Sequence, residues 1–233
     1  MSRLRITRLG HGGVLYQSPG DKWVWVDRWS GAPTYVPPPE PWRVDVVAPT
    51  HGHFDHVGDD AMDVADLARD GATVIGSHEL SLYLGEKGIQ AVGMNKGGMF
   101  EAAGISFTMV HADHSGAVTL TGGGATTREV GCWGWVIRFE DGTVVYHSGD
   151  TDVFGDMALV RERWTPTITV MPIGGHYTMG PVDAARAVAL VGARTVIPVH
   201  YGTFPILAGT PAELAEATDA DVVALQPGET WEG

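Results

Sequence analysis

The chain has 233 residues, of which 44% are hydrophobic and 18% are charged, with 32 glycines and 14 prolines. This composition is typical of a turn-rich globular protein with a sizeable core, and it excludes a disordered or fibrous chain. The 15 basic and 28 acidic residues give a formal net charge of −13. Since no run of lysines or arginines forms a basic stripe, we expect no nucleic-acid partner.

Cys132 is the only cysteine, so no disulfide can form within the chain and nothing requires an oxidising compartment. Residues 1–8 place three arginines among apolar residues and lack the continuous apolar stretch of a secretory signal. No segment approaches the roughly 20 apolar residues that span a bilayer. We therefore expect a cytoplasmic protein without a membrane partner, and we leave a homo-oligomer open.

The first half of the chain predicts short strands that run into polar loops. Five prolines between Ser30 and Pro41 predict a surface loop, and helical spacing is found at Asp59 to Arg69 and Ser81 to Leu84. Histidine clusters follow two of the strands, at 51–56 and at 111–114. The predicted strands are Leu4 to Leu9, Val14 to Gln17, Trp23 to Asp27, Val44 to Pro49, Thr73 to Ile75 and Ile105 to Val110.

The second half repeats this plan. A hairpin is predicted from Trp133 to Phe139 and from Thr143 to His147, and it leads directly into Asp150. Apolar strands at Thr167 to Pro172 and Thr195 to Val199 flank a helical segment at 182–191. The first of them runs towards His176 and the second ends at His200.

Strands and helices in both halves favour an α/β protein with a four-layered αββα sandwich. We expect one domain over residues 1–233, with two similar halves at roughly 1–115 and 116–233. Ligands at strand ends of both halves would then meet in the cleft between them.

The densest chemical signal is His51-Gly52-His53-Phe54-Asp55-His56, which holds four potential metal ligands in six residues. Such side chains would repel one another or stay unsatisfied if they were buried together without a cation. A solvated polar loop is the competing interpretation. Gly52 favours the metal site because it supplies the backbone freedom that a crowded ligand loop needs.

His-x-His-x-Asp-His resembles the signature of the metallo-β-lactamase superfamily, and Gly149-Asp150-Thr151 resembles its later bridging-aspartate motif. Further segments resemble the UPF0173 metal-dependent hydrolases, which are related to the L-ascorbate-6-phosphate lactonase-like group. They span almost the whole chain: Leu9-Gly10-His11, Gly93-Met94-Asn95 with Gly97-Gly98, the motifs from His147 to Thr151 and from Met171 to Pro181, and Pro198-Val199-His200-Tyr201 with Thr203-Phe204-Pro205.

The resemblance implies a metallo-β-lactamase sandwich that holds two divalent ions. It assigns His51, His53 and His114 to one ion and Asp55, His56 and His200 to the other, with Asp150 as the bridge. Imidazole and carboxylate ligands suit Zn²⁺ best here, with Mn²⁺ or Fe²⁺ as alternatives. A hydroxide that bridges the two ions would be the nucleophile.

Some of these positions have a competing structural interpretation. His111 lies in the same loop as His114, and we favour His114 because the family pattern places the ligand just before a serine. Asp150 taken alone is ordinary turn chemistry, and His200 taken alone could be a core histidine. Only their positions after apolar strands and within the family motifs favour ligation.

His176 follows two glycines and could bind substrate, donate a proton or stabilise an oxyanion, or else it ties its loop to a neighbour. Asp27, His147 and His11 are candidates to orient the ligands, with a structural role equally open for each. For His78 we favour a role at the start of a helix over a role as a metal ligand. The tryptophans at 23, 25, 133 and 135 alternate within strands, which favours core packing over an aromatic substrate cage.

The chain departs from the family pattern at Arg28, where we expect a proline, and in the glycine- and threonine-rich stretch 121–127. These departures leave the substrate open.

The leading hypothesis is hydrolysis of an ester, lactone, amide or phosphodiester, with a small lactone or ester favoured by analogy to the lactonase-like group. Asp55 would orient the nucleophile while it serves as a ligand. The alternatives are a di-iron oxidoreductase, a non-enzymatic metal-binding module and a nucleic-acid processing enzyme. His53 argues against the di-iron enzyme because glutamate is expected at its position in those relatives.

Overall fold

The computed structural model describes residues 2–120 and 126–233 and contains two seven-stranded mixed sheets. The first sheet has the order β16-β1-β2-β3-β4-β5-β6. Its strands are β1 (Arg5–Gly10), β2 (Gly13–Gln17), β3 (Trp23–Val26), β4 (Val46–Val47), β5 (Thr73–Ser77), β6 (Ala91–Met94) and β16 (Thr230–Glu232). The strands β1 to β3 form an antiparallel meander, and β3 to β6 run parallel to one another.

The second sheet has the order β15-β14-β13-β12-β11-β8-β7. Its strands are β7 (Met99–Ala102), β8 (Ile105–His111), β11 (Trp133–Arg138), β12 (Val144–His147), β13 (Ile168–Pro172), β14 (Thr195–Val199) and β15 (Asp221–Val222). A separate two-stranded hairpin pairs β9 (Ala117–Thr119) with β10 (Thr127–Glu129). Residues 121–125 of the glycine- and threonine-rich stretch 121–127 lie outside the described residues.

The α-helices connect the strands, and the first of them lies within the histidine motif. They are α1 (Phe54–Val57), α2 (Met62–Leu67), α3 (His78–Glu86), α4 (Met157–Trp164), α5 (Pro181–Val191) and α6 (Pro211–Ala217). Side chains of α2 and α3 join the core of the first sheet, whereas those of α4, α5 and α6 form a second cluster on the outer face of the second sheet. The four-layered αββα order that the sequence predicts is therefore confirmed.

Local chemistry explains where these helices begin and end. Pro181 opens α5 at a position where its missing N–H costs nothing, and Gly192 ends it with a φ of +70°. Thr210 and Glu213 form a reciprocal capping box that starts α6. The α3 helix begins at His78 as predicted, with the Ser77 hydroxyl accepting a hydrogen bond from the Leu80 N–H.

Two predicted elements are shorter than expected. Only Val46 and Val47 of the segment 44–49 pair within the sheet, because the chain then turns into the histidine loop. The helical spacing from Asp59 to Arg69 is broken into a 3₁₀ turn, the α2 helix and a second 3₁₀ turn, since Asp60 and Ala61 both have a φ of +57°. The proline-rich segment 30–41 forms no helix or strand, as predicted.

The core between the sheets is built around tryptophans. Trp25, Trp133 and Trp135 are each at most 1% exposed and Trp23 is 9% exposed, so the prediction of core packing is confirmed. Among the described residues, no helix has the length and hydrophobicity needed to span a bilayer. The chain passes from the first sheet to the second between β6 and β7, and β16 returns to the first sheet.

Candidate metal centre

The predicted ligands meet at one edge of the sandwich because each follows the end of a strand. The loop with His51, His53, Asp55 and His56 follows β4 and runs into α1. The other three follow strands of the second sheet: His114 comes after β8, Asp150 after β12 and His200 after β14. Both sheets thus deliver histidines and carboxylates to one place.

Three of these histidines form a first cluster. Ring nitrogens of His51, His53 and His114 all lie within 4.8 Å of one another. Nε2 of His51 is 3.0 Å from Nδ1 of His53, and the His114 ring packs edge-on against both neighbours.

The second cluster contains His11 in addition to the three residues that the sequence assigned to it. One ligand atom each from His11, Asp55, His56 and His200 lies within 4.8 Å of the others. Nε2 of His11 donates to Oδ2 of Asp55 at 3.0 Å, and Nδ1 of His11 lies 2.9 Å from the Thr203 hydroxyl. We expected His11 only as a candidate to orient ligands, and its contact with Asp55 fits that role.

Asp150 lies between the two clusters. Its Oδ2 atom is 3.1 Å from Nε2 of His200 and 3.4 Å from Nε2 of His56, both in the second cluster. The same atom is 3.9 Å from Nε2 of His114 in the first cluster. A single carboxylate therefore faces ligand atoms of both groups.

These contacts fit divalent metal ions. Two ligands bound tetrahedrally at 2.0–2.1 Å lie about 3.3 Å apart, and the separations around Asp150 range from 3.1 to 3.9 Å. The ring nitrogens of His56 and His200 are buried and make no hydrogen bond, although Nδ1 of His56 approaches Oδ2 of Asp27 to 2.9 Å. Buried unpaired nitrogens are costly, and cations between them would remove that cost.

The pKa shifts of His200 and Asp150 also indicate that the site needs positive charge. Burial alone would lower the pKa of His200, but the Asp150 carboxylate raises it to about 9. Burial would raise the pKa of Asp150, but His200 and His56 hold it well below its usual range. Carboxylates that remain ionised in such a buried place require either protons or metal ions on the neighbouring imidazoles.

Asp27 and His147 lie directly behind the ligands. Nε2 of His147 is 4.0 Å from Oδ2 of Asp27, and Nδ1 of His147 is 2.7 Å from the Tyr16 hydroxyl. Burial, which outweighs the effect of Asp27, lowers the pKa of His147 to about 4. This neutral histidine and Asp27 thus form a buried support beneath His56.

Glycine is required where the ligand loops touch. Gly149 has a φ of +63°, and a Cβ atom there would lie 2.7 Å from Cβ of Thr50. A side chain at 149 would therefore separate Asp150 from the loop that carries His51.

Besides His147, three histidines lie outside the two clusters. His111 is exposed at the end of β8, where its ring packs against Phe154 with centroids 4.7 Å apart. His176 is also exposed, with a φ of +58°, and its ring packs edge-on against Tyr177. His78 is the first residue of α3, directly after the capping Ser77.

A cleft of about 520 Å³ opens over the ligands, and Tyr177 lines it together with apolar side chains from distant loops. Phe54, Phe204 and Ile206 are among them. Sequence analysis did not identify these residues as part of the site. Phe54 lies inside the histidine motif, and Phe204 lies three residues beyond Tyr201, which follows the predicted ligand His200. Nearness in the sequence to predicted ligands is therefore the signal that could have identified these cleft residues.

Comparisons with known proteins identify relatives over nearly the whole chain. Residues 22–201 match the family model described as the Beta-lactamase superfamily domain. A UPF0173 metal-dependent hydrolase of Roseiflexus castenholzii is 41% identical over 242 residues, covering 97% of this chain and 96% of the relative. Its counterpart in Methanosarcina mazei is 41% identical over 239 residues, covering 99% of both chains. A metallo hydrolase structure from Ignicoccus hospitalis superposes with a TM-score of 0.80 at 33% identity, covering 99% of both chains.

Proposed function

The chain belongs to the UPF0173 metal-dependent hydrolases of the metallo-β-lactamase superfamily, and on that premise we propose that it hydrolyses a small ester or lactone with two divalent ions. The proposed ligands are His51, His53 and His114 for one ion, Asp55, His56 and His200 for the other, and Asp150 between them. The observation that carries the proposal is the position of Asp150 Oδ2, within 3.1–3.9 Å of histidine nitrogens from both clusters.

The ions would supply an acidified water as the nucleophile, with a pKa of roughly 7, and would polarise the scissile bond. Zn²⁺ is the favoured metal, with Mn²⁺ or Fe²⁺ as alternatives, because histidine nitrogens dominate the proposed ligand set.

Asp55 is the residue that we propose to orient the attacking water. Burial would raise its pKa, but contacts with His11 and His200 hold the pKa well below its usual range, so the carboxylate is ionised at neutral pH. The hydrogen bond from His11 goes to Oδ2, which also lies 3.6 Å from Nε2 of His200. His11 is in turn held by Thr203, so the chain Thr203–His11–Asp55 sets the direction of the acceptor.

His176 is proposed to act on the substrate and not on the metals. Its neighbour Tyr177 lines the cleft, and the exposed His176 ring packs edge-on against the Tyr177 ring. In this role His176 would donate a proton to the leaving group, while Asp55 orients the attacking water.

The test is a screen of protein loaded with Zn²⁺ or Mn²⁺ against lactones, carboxylic esters, β-lactams and phosphodiesters. We expect hydrolysis of small lactones or esters, abolished by a chelator and restored by the metal. Elemental analysis should give close to two ions per chain. A visible absorption spectrum with oxidase activity in iron-loaded protein, and no hydrolysis, would instead support the di-iron alternative.

A further inference from the structure

Exposed apolar side chains concentrate at the mouth of the proposed site. Phe54, Tyr177, Phe204 and Ile206 are between 36% and 58% exposed, and all four line the same cleft as His53 and Asp55. Large apolar side chains that share a concave surface mark a site for an apolar ligand. The cleft volume of about 520 Å³ is suited to a small molecule.

The apolar wall of this cleft includes Phe54 and Phe204, and both rings pack against Trp29, which lies behind them and does not line the cleft. Trp29 packs edge-on against Phe54 with centroids 5.4 Å apart, and its centroid is 6.1 Å from that of Phe204. The Trp29 ring also contacts His11, which donates to Asp55. The rings support one another, so the wall is formed before a ligand arrives and is fixed relative to Asp55.

Away from the proposed metal ions, the described part of the cleft offers no cationic side chain besides histidine. Among the described residues, no lysine or arginine lines it, and residues 121–125 contain neither residue type. A charged substrate group placed against the apolar wall, away from the ions, would lose its hydration without gaining a partner.

We infer that the cleft takes the apolar, uncharged part of the substrate, an alkyl chain or an aryl ring attached to the scissile ester or lactone. The reaction in this inference rests on the proposed function, whereas the apolar binding surface does not depend on it. Because each buried methylene favours binding by about fourfold, reactivity should rise with chain length until the cleft is filled. Substrates with a carboxylate or phosphate at the far end should be poor.

The first experiment measures binding without catalysis. The neutral fluorescent probe N-phenyl-1-naphthylamine is titrated into metal-free and metal-loaded protein, into Phe204→Gln and into Ile206→Gln. Leu82→Gln is the matched control, because Leu82 is 52% exposed on α3 and does not line the cleft. We expect the Kd to rise at least about fivefold in both cleft variants and to stay unchanged in the control.

Equal Kd values in all proteins would overturn the inference. So would light scattering that shows a dimer in the wild type and a monomer in the two cleft variants, because the cleft would then be covered by a second copy of the chain.

The second experiment compares 4-nitrophenyl acetate, butanoate, hexanoate and octanoate with the mono-4-nitrophenyl ester of succinic acid. We expect kcat/KM to rise along the neutral series and to be at least about tenfold lower for the succinate ester than for the butanoate. Ile206→Lys should narrow that tenfold difference, because it places a cation on the wall.

The two experiments separate the two proposals. If no ester or lactone is cleaved while the probe still requires Phe204 and Ile206, the proposed reaction fails and the apolar cleft stands. If esters are cleaved at rates independent of chain length, the reaction stands and the inferred substrate class fails.

Discussion

Both carboxylate oxygens of Asp27 accept hydrogen bonds from Thr50, one from its N–H at 2.8 Å and one from its hydroxyl at 2.6 Å. The Thr50 hydroxyl also lies 3.1 Å from Nδ1 of His51. Asp27 at the end of β3 thus fixes the residue that precedes the histidine motif. Through Thr50 it also fixes the orientation of His51, whose Nε2 faces His53.

We predict that Asp27→Asn lowers metal affinity about 10- to 100-fold, the usual effect of removing a carboxylate that orients metal ligands. An asparagine presents one oxygen where Asp27 presents two acceptors. Either the Thr50 N–H loses its acceptor, or Nδ1 of His56 loses the carboxylate oxygen that lies 2.9 Å away. Affinity is measured by competition with a chromophoric chelator. Asp45→Asn is the control, because Asp45 also accepts a backbone hydrogen bond, from Trp23, but lies outside the clusters. Unchanged affinity in Asp27→Asn would count against this support.

The second prediction concerns the division of ligands between the two ions. Asp150→Ala should reduce occupancy at both sites because its Oδ2 faces both clusters, whereas His200→Ala should empty mainly one. The two variants are loaded with Zn²⁺, desalted and measured by elemental analysis. Equal loss of metal in both variants would contradict the proposed partition.

Sequence reasoning was most successful where ligands are neighbours in the chain or follow apolar strands. The motif from His51 to His56, Asp150 and His200 was identified by that rule, and the structure brings all of them together. The rule depends only on local spacing and on strand ends meeting at a sheet edge, both of which a single sequence displays.

Contacts between distant segments were not accessible in this way. The tilted ring contact of Trp29 with Phe204 joins two loops that are 175 positions apart in the chain, and neither loop has a periodic pattern. Arg28, where a proline was expected, donates to Asp66 at 2.8 Å and ties the proline-rich loop region to α2. Short edge strands such as β6 and β7 also lack the alternation of buried and exposed residues that identifies a strand. The capping box of α6, by contrast, is a local sequence pattern that the sequence analysis did not use.

The third prediction concerns how the two sheets are held together. Trp135 on β11 is fully buried, and its Nε1 donates to the Pro49 carbonyl at 2.9 Å, directly before the histidine loop. Trp135→Phe should lower the free energy of unfolding by about 1–3 kcal/mol through the unpaired carbonyl, with a further loss from the cavity. Urea unfolding measures the change. Trp231→Phe, on edge strand β16, is the control and should cost less.

The last prediction concerns His176, which we propose acts on substrate. His176→Ala should retain full metal content, since the residue lies outside both clusters, and should lower kcat by roughly 10²-fold, the scale expected for a lost proton donor. The φ of His176 is +58°, so alanine also strains the backbone. His176→Asn separates the two effects, because asparagine tolerates this conformation but carries no imidazole. Both variants should therefore be impaired to a similar degree. If His176→Asn is as active as the wild type, the histidine is a turn residue, and if either variant loses an ion, it belongs to the metal centre.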